Sequence, residues 1–355
     1  MAGSTLRHAR NMLVCLRYGI GDVVMQLPVL DALRRAAPEA RITAIGAAPA
    51  IELLEGAGLV DEIVAYGRWG IRHLWDPGIA ETYAQVAGWL EEAGFELVLD
   101  APHAPQPIRH AVRRRGLSTL STDESVLLAA LASGGNGAEA LACAAGLGWG
   151  LPVDSYARPA IAPSDSEVEF ARVFLEQSGA CGPPVGFCPA ASSSLKRWPE
   201  SRFAVVADWA IENVERGVVL FGGDLDESVV TMRRLMSHGE RGIVVRGLPL
   251  RRVAAVLAEC AALVTNDTGL MHMAAAVGTP VVGVFGPTSP RVYLPRGRAV
   301  GLVGDLDCPY RAHKLSPPGC WKSEHCLIGP DNCTVAVHTE TVIALLRRIL
   351  RRVPG

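Results

Sequence analysis

Short apolar runs that alternate with amphipathic helical stretches predict an α/β protein built on parallel sheets. The alternation breaks once, at a Pro- and Ser-rich stretch near the middle, and then restarts. This predicts two doubly wound domains rather than one. Size and composition agree: 355 residues, 49% hydrophobic and 20% charged, suffice for two buried cores and are too apolar for disorder.

The first domain opens on a strand, "NMLVCLRY". The helix "DVVMQLPVLDALRRAAP" follows, with Val24, Leu27, Leu30 and Leu33 at helical spacing and Pro38 just beyond its end. A strand "ARITAIGA", a helix "AIELLEGAG", a strand "VDEIVAYG", a helix "ETYAQVAGWLEEAG" and a strand "FELVLDAPH" come next. The Ala-rich run from Leu127 to Leu151 reads as buried helices, because Glu139, Asn136 and several glycines interrupt it. Leu151 to Glu167 is the linker, and "SEVEFARVFLEQSG" a connecting helix. The second domain then runs "PVGFCPA" strand, "SRFAVVADWAIE" helix, "GVVLFGG" strand, "DESVVTMRRLMS" helix, "GIVVRG" strand, "LRRVAAVLAEC" helix, "AALVTN" strand, "GLMHMAAAVG" helix and "PVVGVFG" strand. The last helix, "HTETVIALLRRILRR", is expected to cross back to the first domain. The domains are placed at 1–165 and 166–337, with the C-terminal helix in 338–355. Ligands of open parallel sheets bind outside the carboxyl ends of the strands, so a cleft between the two domains is the expected site.

A net charge of −2 argues against a nucleic-acid footprint, which needs a basic surface. The arginine runs "VRRRG" and "RRILRR" read as solvated helix faces. Arg17 and Asp22 cut the first apolar stretch, so it is not a secretory signal, and no run is long and apolar enough to span a membrane. A cytoplasmic protein is expected. Cys15, Cys143, Cys181, Cys188 and Cys260 are scattered through apolar contexts and read as reduced core residues.

Three stretches carry candidate chemistry. In "VTNDTGLMHMAAAVGTPVVGVFGPTSP" a polar turn separates an apolar strand from an Ala-rich helix. A helix N-terminus offers free N–H donors and partial positive charge, which suits a phosphate. Gly269 permits close backbone approach, Thr268 adds a hydroxyl, and His272 lies one turn inside. Asp267 suits an N-cap or sugar hydroxyls better than phosphate itself. In "CPAASSSLKRWPESRF" a Ser-rich loop carrying Lys196 leaves a strand end, a setting for a diphosphate. In "LRYGIGDVVMQLP", Gly19 and Gly21 bracket a strand-to-helix turn, and Asp22 stands at the helix start, as an N-cap or as a general base. Asp-x-Asp strings at Asp224–Asp226 and Asp305–Asp307 are too short to assign a metal.

Taken together, "GIGDVVMQLPVLDALRRAAPEARI", "LKRWPESRFAVVAD", "VVLFGGDLDE" and "TNDTGLMHMAAAVGTPVVGVFGPTSP" resemble the signatures of glycosyltransferase family 9, the ADP-heptose heptosyltransferases, in the expected order. The resemblance implies the GT-B architecture of two Rossmann-like domains. It implies inverting transfer of a heptose or similar sugar from an ADP-activated donor to an acceptor hydroxyl, with no cofactor required. It also implies roles. Asp22 matches the catalytic base, Lys196 and Ser192 contact the diphosphate, and Asp226 or Glu227 approaches the ribose. Leu248 covers the adenine, while Asp267, Thr268, Gly269 and His272 form the donor motif beside Gly19 and Gly21.

The segment from Asp100 to Gly116 departs from the usual acceptor region, and there His103, Arg109 and His110 read either as acceptor contacts or, slightly better, as ordinary surface residues. The acceptor is therefore left open among a lipopolysaccharide core sugar, a protein hydroxyl and a small metabolite. A non-catalytic nucleotide-sugar binding module and a GT-B epimerase are the other readings. Cys308, Cys320, Cys326 and Cys333, within 308–333, could form a tetrahedral Zn or Fe site, although no C-x-x-C knuckle is present. This segment is similar to one in relatives that heptosylate autotransporter proteins and carry a four-cysteine iron site.

Overall fold

The computed structural model describes residues 6, 8–72, 76–122, 124–132, 136–154, 157–180, 182–214, 216–224, 226–309, 320, 325–329 and 333–351. The chain divides into two compact units, Met1–Ala160 and Ile161–Gly355. Each is an α/β unit on a wholly parallel sheet.

In the first unit the strands are β1 (Asn11–Cys15), β2 (Arg41–Gly46), β3 (Glu62–Ala65), β4 (Leu97–Leu99) and β5 (Ser118–Leu120), in the order β3-β2-β1-β4-β5. The central strands are buried along almost their whole length, which is why they read as unbroken apolar runs rather than alternating ones. On one face the helices Ala80–Ala93 and Gln106–Arg114 bury Val86, Leu90, Ile108 and Val112 against Leu13, Ile45, Val64 and Val98. Helix Ile20–Ala36 packs with helix Gly137–Trp149 and keeps Pro28 in its interior. Strand order reverses between β1 and β4, so the loops leaving these two strands border the crevice where such sheets take ligands.

In the second unit the strands are β6 (Val185–Cys188), β7 (Val218–Phe221), β8 (Gly242–Val245), β9 (Ala262–Asn266), β10 (Val281–Phe285) and β11 (Ala299–Val303), in the order β11-β10-β9-β6-β7-β8. Here the reversal falls between β6 and β9. Phe187, Leu220, Val264 and Val284 form a core with Phe203, Ala207 and Ile211 of helix Glu200–Val214. The connecting helix Asp165–Gln177 starts at Ser164, whose Oγ accepts from Glu167 N at 3.3 Å. Arg251 locks it to the sheet-covering helix Leu250–Ala258 by a two-pronged contact with Glu167, at 2.7 and 2.8 Å.

Several elements differ from the sequence reading. "AIELL" makes only a 3-10 turn, Ala50–Leu54, because Glu55 turns out of helical geometry. β5, β11 and helix Gln106–Arg114 were not anticipated. The C-terminal helix Thr339–Leu350 buries Val342, Leu346 and Leu350 in the core of the second unit, not the first. Its apolar spacing supplies that stripe, and helix Glu200–Val214 is its neighbour. Cys15, Cys188 and Cys260 are buried as expected. Cys143 is exposed, since it falls on the outer side of its helix between buried Ala142 and Ala144, and Cys181 lies outside the described residues. The arginines of both basic runs are exposed where described. No described helix is long and apolar enough to cross a membrane.

Candidate functional site

The second unit's site is built by the loops that leave β6, β9 and β10. After β6 the Ser-rich loop is fixed by its own polar groups. Ser193 Oγ accepts from Leu195 N at 3.3 Å and opens a 3-10 turn, Ser194–Lys196. The Arg197 guanidinium folds back on Ala191 O, at 3.1 and 3.2 Å. Asn266, buried at the end of β9, accepts from Trp198 N at 3.0 Å and donates to Pro189 O at 2.7 Å, so it pins both ends of the loop. Trp198 is wholly buried, edge-on to Phe203 at 4.9 Å, and its Nε1 donates to Val337 O at 3.0 Å.

This scaffold delivers Lys196 to Asp267. Lys196 Nζ lies 2.7 Å from Asp267 Oδ2, with the two side chains only 13% and 5% exposed. Thr288 Oγ1, from the loop after β10, donates to the same oxygen at 2.6 Å. A buried carboxylate with a close ammonium and a hydroxyl donor is satisfied, whereas losing the ammonium leaves an under-compensated charge. Asp267 is therefore buried for charge pairing and is not the helix cap. Thr268 takes the cap instead, with extended backbone and Oγ1 accepting from Leu270 N at 3.2 Å. Gly269 begins helix Gly269–Ala276, and His272 is buried one turn in. Cys188 sits beneath this turn beside Thr265 and Thr268. Burial pushes its thiol up to about 11, so it is a neutral packing group.

The other expected residues are placed along the same sheet edge. Asp226 Oδ1 accepts at 2.9 Å from the N–H of Ser228, the first residue of helix Ser228–Leu235, while Glu227, the N-cap, is exposed. Leu248 is half-buried in the loop after β8, which Arg246 ties to the β7 loop through Gly223 O and Asp224 O. Ser192 is exposed.

A further layer packs under the Lys196 loop. Cys308, Cys320, Cys326 and Cys333 line one void with Leu195, Pro287, Leu306, Leu327 and Ile328. Among the described residues no three His, Cys, Asp or Glu groups are close enough together to hold a metal ion. The layer is stitched in place: Thr334 Oγ1 donates to Arg197 O at 3.1 Å, and Arg202 donates to Val335 O and Val337 O. Gly286 marks where the pieces meet, since a Cβ there would lie 2.5 Å from Leu195 O and 2.8 Å from Thr334 Cγ2.

In the first unit the turn after β1 is equally tight. Gly19 is the N-cap of helix Ile20–Ala36, and its N–H donates to Asp22 Oδ2 at 3.0 Å. Asp22 is thus the third helical residue, half-buried, bonded back to the start of its own turn. A Cβ on Gly19 would sit 2.8 Å from that carboxylate oxygen, so a side chain there would push the Asp22 carboxylate aside. Gly21 lies in the same first turn. Buried Gln26 accepts from Arg17 N at 3.0 Å and fixes the turn's entry.

Across the strand-order reversal, just after β4, stands Asp100. It is 1% exposed and holds a left-handed φ of 56°. Its Oδ1 accepts from Thr122 N at 2.5 Å and Trp149 Nε1 at 3.4 Å, while Oδ2 is buried with no hydrogen-bond partner among the described residues. Burial pushes its carboxyl up to about 6, against the pull of Thr122, Arg17 and Trp149. His103 is no ordinary surface residue: burial and the Arg17 charge press its imidazole down to about 4. Arg109 is half-buried and His110 exposed, edge-on to Tyr83 at 5.2 Å.

Thr288, Asn266 and Asp100 escaped the sequence reading. Thr288 lies in the quoted "FGPTSP", and the rule that ligand groups gather beyond strand ends would have marked it, as it stands in the loop that leaves β10, the strand beside β9.

Comparison with known proteins places this geometry. The family model described as "Glycosyltransferase family 9 (heptosyltransferase)" matches residues 139–322, just over half of the chain. Lipooligosaccharide heptosyltransferase 2 of Haemophilus influenzae is 38% identical over 132 residues, which are 35% of this chain and 38% of that relative's length. The family 9 glycosyl transferase of Veillonella parvula superposes with a TM-score of 0.75 at 22% identity, over 97% of this chain and 98% of that one. The E. coli ADP-heptose lps heptosyltransferase II superposes at 0.70 and 21% identity, over 96% and 99%. Both likenesses establish the two-Rossmann-unit GT-B fold.

Proposed function

Because the chain belongs to glycosyltransferase family 9, we propose that it is an inverting glycosyltransferase that moves a heptose from an ADP-activated donor to an acceptor hydroxyl. The observation that carries this reading is the Lys196–Asp267–Thr288 group at the strand-order reversal of the second sheet. A lysine on a rigid loop beside a helix N-terminus suits a departing diphosphate, whose negative charge grows as the glycosidic bond breaks. In this reading Lys196 turns its ammonium to the diphosphate, and Asp267 accepts hydroxyls of the donor sugar. Thr268, Gly269 and His272 line the same pocket with Ser192. Leu248 covers the base, and Asp226 or Glu227 meets the ribose.

Asp22 is the base that accepts the proton of the attacking hydroxyl. Its bond to Gly19 N–H fixes one oxygen and leaves the other to reach the acceptor. The similarity to lipooligosaccharide and lipopolysaccharide heptosyltransferases favours a lipopolysaccharide sugar as acceptor. The four cysteines share one void, which supports a structural Zn or Fe held by Cys308, Cys320, Cys326 and Cys333. Among the described residues the four thiols do not converge into a ligand set.

The test is Asp22→Ala with ADP-heptose and a core acceptor. Transfer is expected to fall by about 10²-fold or more, with ADP affinity by calorimetry unchanged. Normal turnover in the variant would remove Asp22 from the chemistry. Products from ADP-heptose alone, read by mass spectrometry and NMR, separate transfer from epimerisation.

A further inference from the structure

We propose that Thr288 is a positioning residue that holds Asp267 in place when Lys196 leaves it for the donor diphosphate. The inference rests on the donor reading above and extends it to a residue with no assigned role.

Two donors converge on one oxygen: Lys196 Nζ at 2.7 Å and Thr288 Oγ1 at 2.6 Å, both on Asp267 Oδ2. The carboxylate is 5% exposed, so water cannot replace either of them cheaply. A lysine ammonium has three donors and a flexible stem and can swing toward phosphate. Thr288 cannot follow. Its chain is anchored by β10 on one side and by the start of helix Pro290–Tyr293 on the other. Neighbouring Pro287 lines the void that Leu195 also lines, so the loop is packed from below.

The two donors therefore have different duties. Without nucleotide, Lys196 neutralises Asp267, and the threonine hydroxyl adds little. With the diphosphate bound, Lys196 is shared or lost, and the hydroxyl becomes the remaining side-chain donor to Oδ2 in this group. It keeps the carboxylate aimed, with Oδ1 turned to the sugar. Thr288 thus acts selectively on the liganded state.

Calorimetric titration with ADP tests this in wild type, Thr288→Val, Thr288→Ser and the double variant Thr288→Val/Lys196→Ala. Valine keeps the shape and removes the hydroxyl, and serine does the reverse. Thr288→Val is expected to weaken ADP binding about ten-fold or more, the scale of one hydrogen bond to a charged group. Thr288→Ser is expected to stay near wild type, and the melting temperature without ADP to change little in either. In the Lys196→Ala background the valine change should cost no further affinity, because Asp267 has then lost its cation in both states.

Equal ADP affinity in wild type and Thr288→Val overturns the proposal. So does a loss of unliganded stability in Thr288→Val as large as its loss of affinity, which marks a packing role. If wild type itself binds no ADP while the protein is folded, the donor-site reading fails first and Thr288 falls with it.

Discussion

Replacing Asp100 by Asn should flatten the pH dependence of stability. Asp100 is almost wholly buried, and its carboxyl is raised from 3.8 to about 6, chiefly by burial. A raised acid favours the proton-bound folded state. Its contribution is fully present below about pH 4 and is lost as pH rises through about 6, because the unfolded chain releases its proton first. At about 1.4 kcal/mol per pH unit, the loss is about 3 kcal/mol between pH 4 and pH 7. Asparagine keeps the Oδ1 acceptor for Thr122 and Trp149 and tolerates the left-handed backbone, but carries no titrating group. Any fixed cost of its buried amide is the same at every pH and cancels in the comparison. Urea unfolding of both proteins across pH 4 to 7 reads the effect directly. Wild type should lose about 3 kcal/mol more than the variant over that interval. Parallel curves would show that Asp100 ionises normally and that its burial is compensated elsewhere.

Other outcomes follow from the same geometry. Gly19→Ala puts a methyl 2.8 Å from Asp22 Oδ2 and should lower kcat about ten-fold or more with ADP affinity intact. Full turnover would detach Asp22's placement from the chemistry. Lys196→Ala should weaken ADP binding and also cost about 3 kcal/mol of unliganded stability, because Asp267 is left buried with one hydroxyl. Unchanged affinity by calorimetry would take Lys196 out of the nucleotide site. Elemental analysis of purified protein should return about one Zn or Fe per chain if the four cysteines are ligands, and a metal-free result makes them packed thiols.

Much of the fold was legible because parallel strands buried on both faces leave long apolar runs, as in "NMLVC" and "ALVTN". β5 was not, since "STL" is three residues long and largely exposed and leaves no apolar signal. The pairing region of the second unit was readable from Lys196 and the polar turn at Asp267, because charged and glycine residues at strand ends are conspicuous. Asp267's partner was not, because a hydroxyl in "GPTSP" looks like any turn residue until β10 is paired beside β9. Of the two roles open to Asp267, capping or sugar hydroxyls, capping falls instead to Thr268. Asp267 and Thr268 are both good caps by type, and only the burial of the aspartate beside Lys196 separates them. Asp100 sits in an "LDAPH" stretch whose composition gives no hint of a left-handed backbone or a shifted carboxyl.

The lack of room at Gly286 bears on how this region can change over time. Three strands of chain abut at one hydrogen atom: the peptide of Leu195, the methyl of Thr334 and the bend before Pro287. None can gain bulk or length unless the other two retreat, so inherited variation here must arrive in matched sets. A graft of the β10 loop from a homologue should fail alone and succeed when residues 333–337 travel with it. Ser192, in the loop after β6, is exposed and can take side-chain changes that Gly286 refuses.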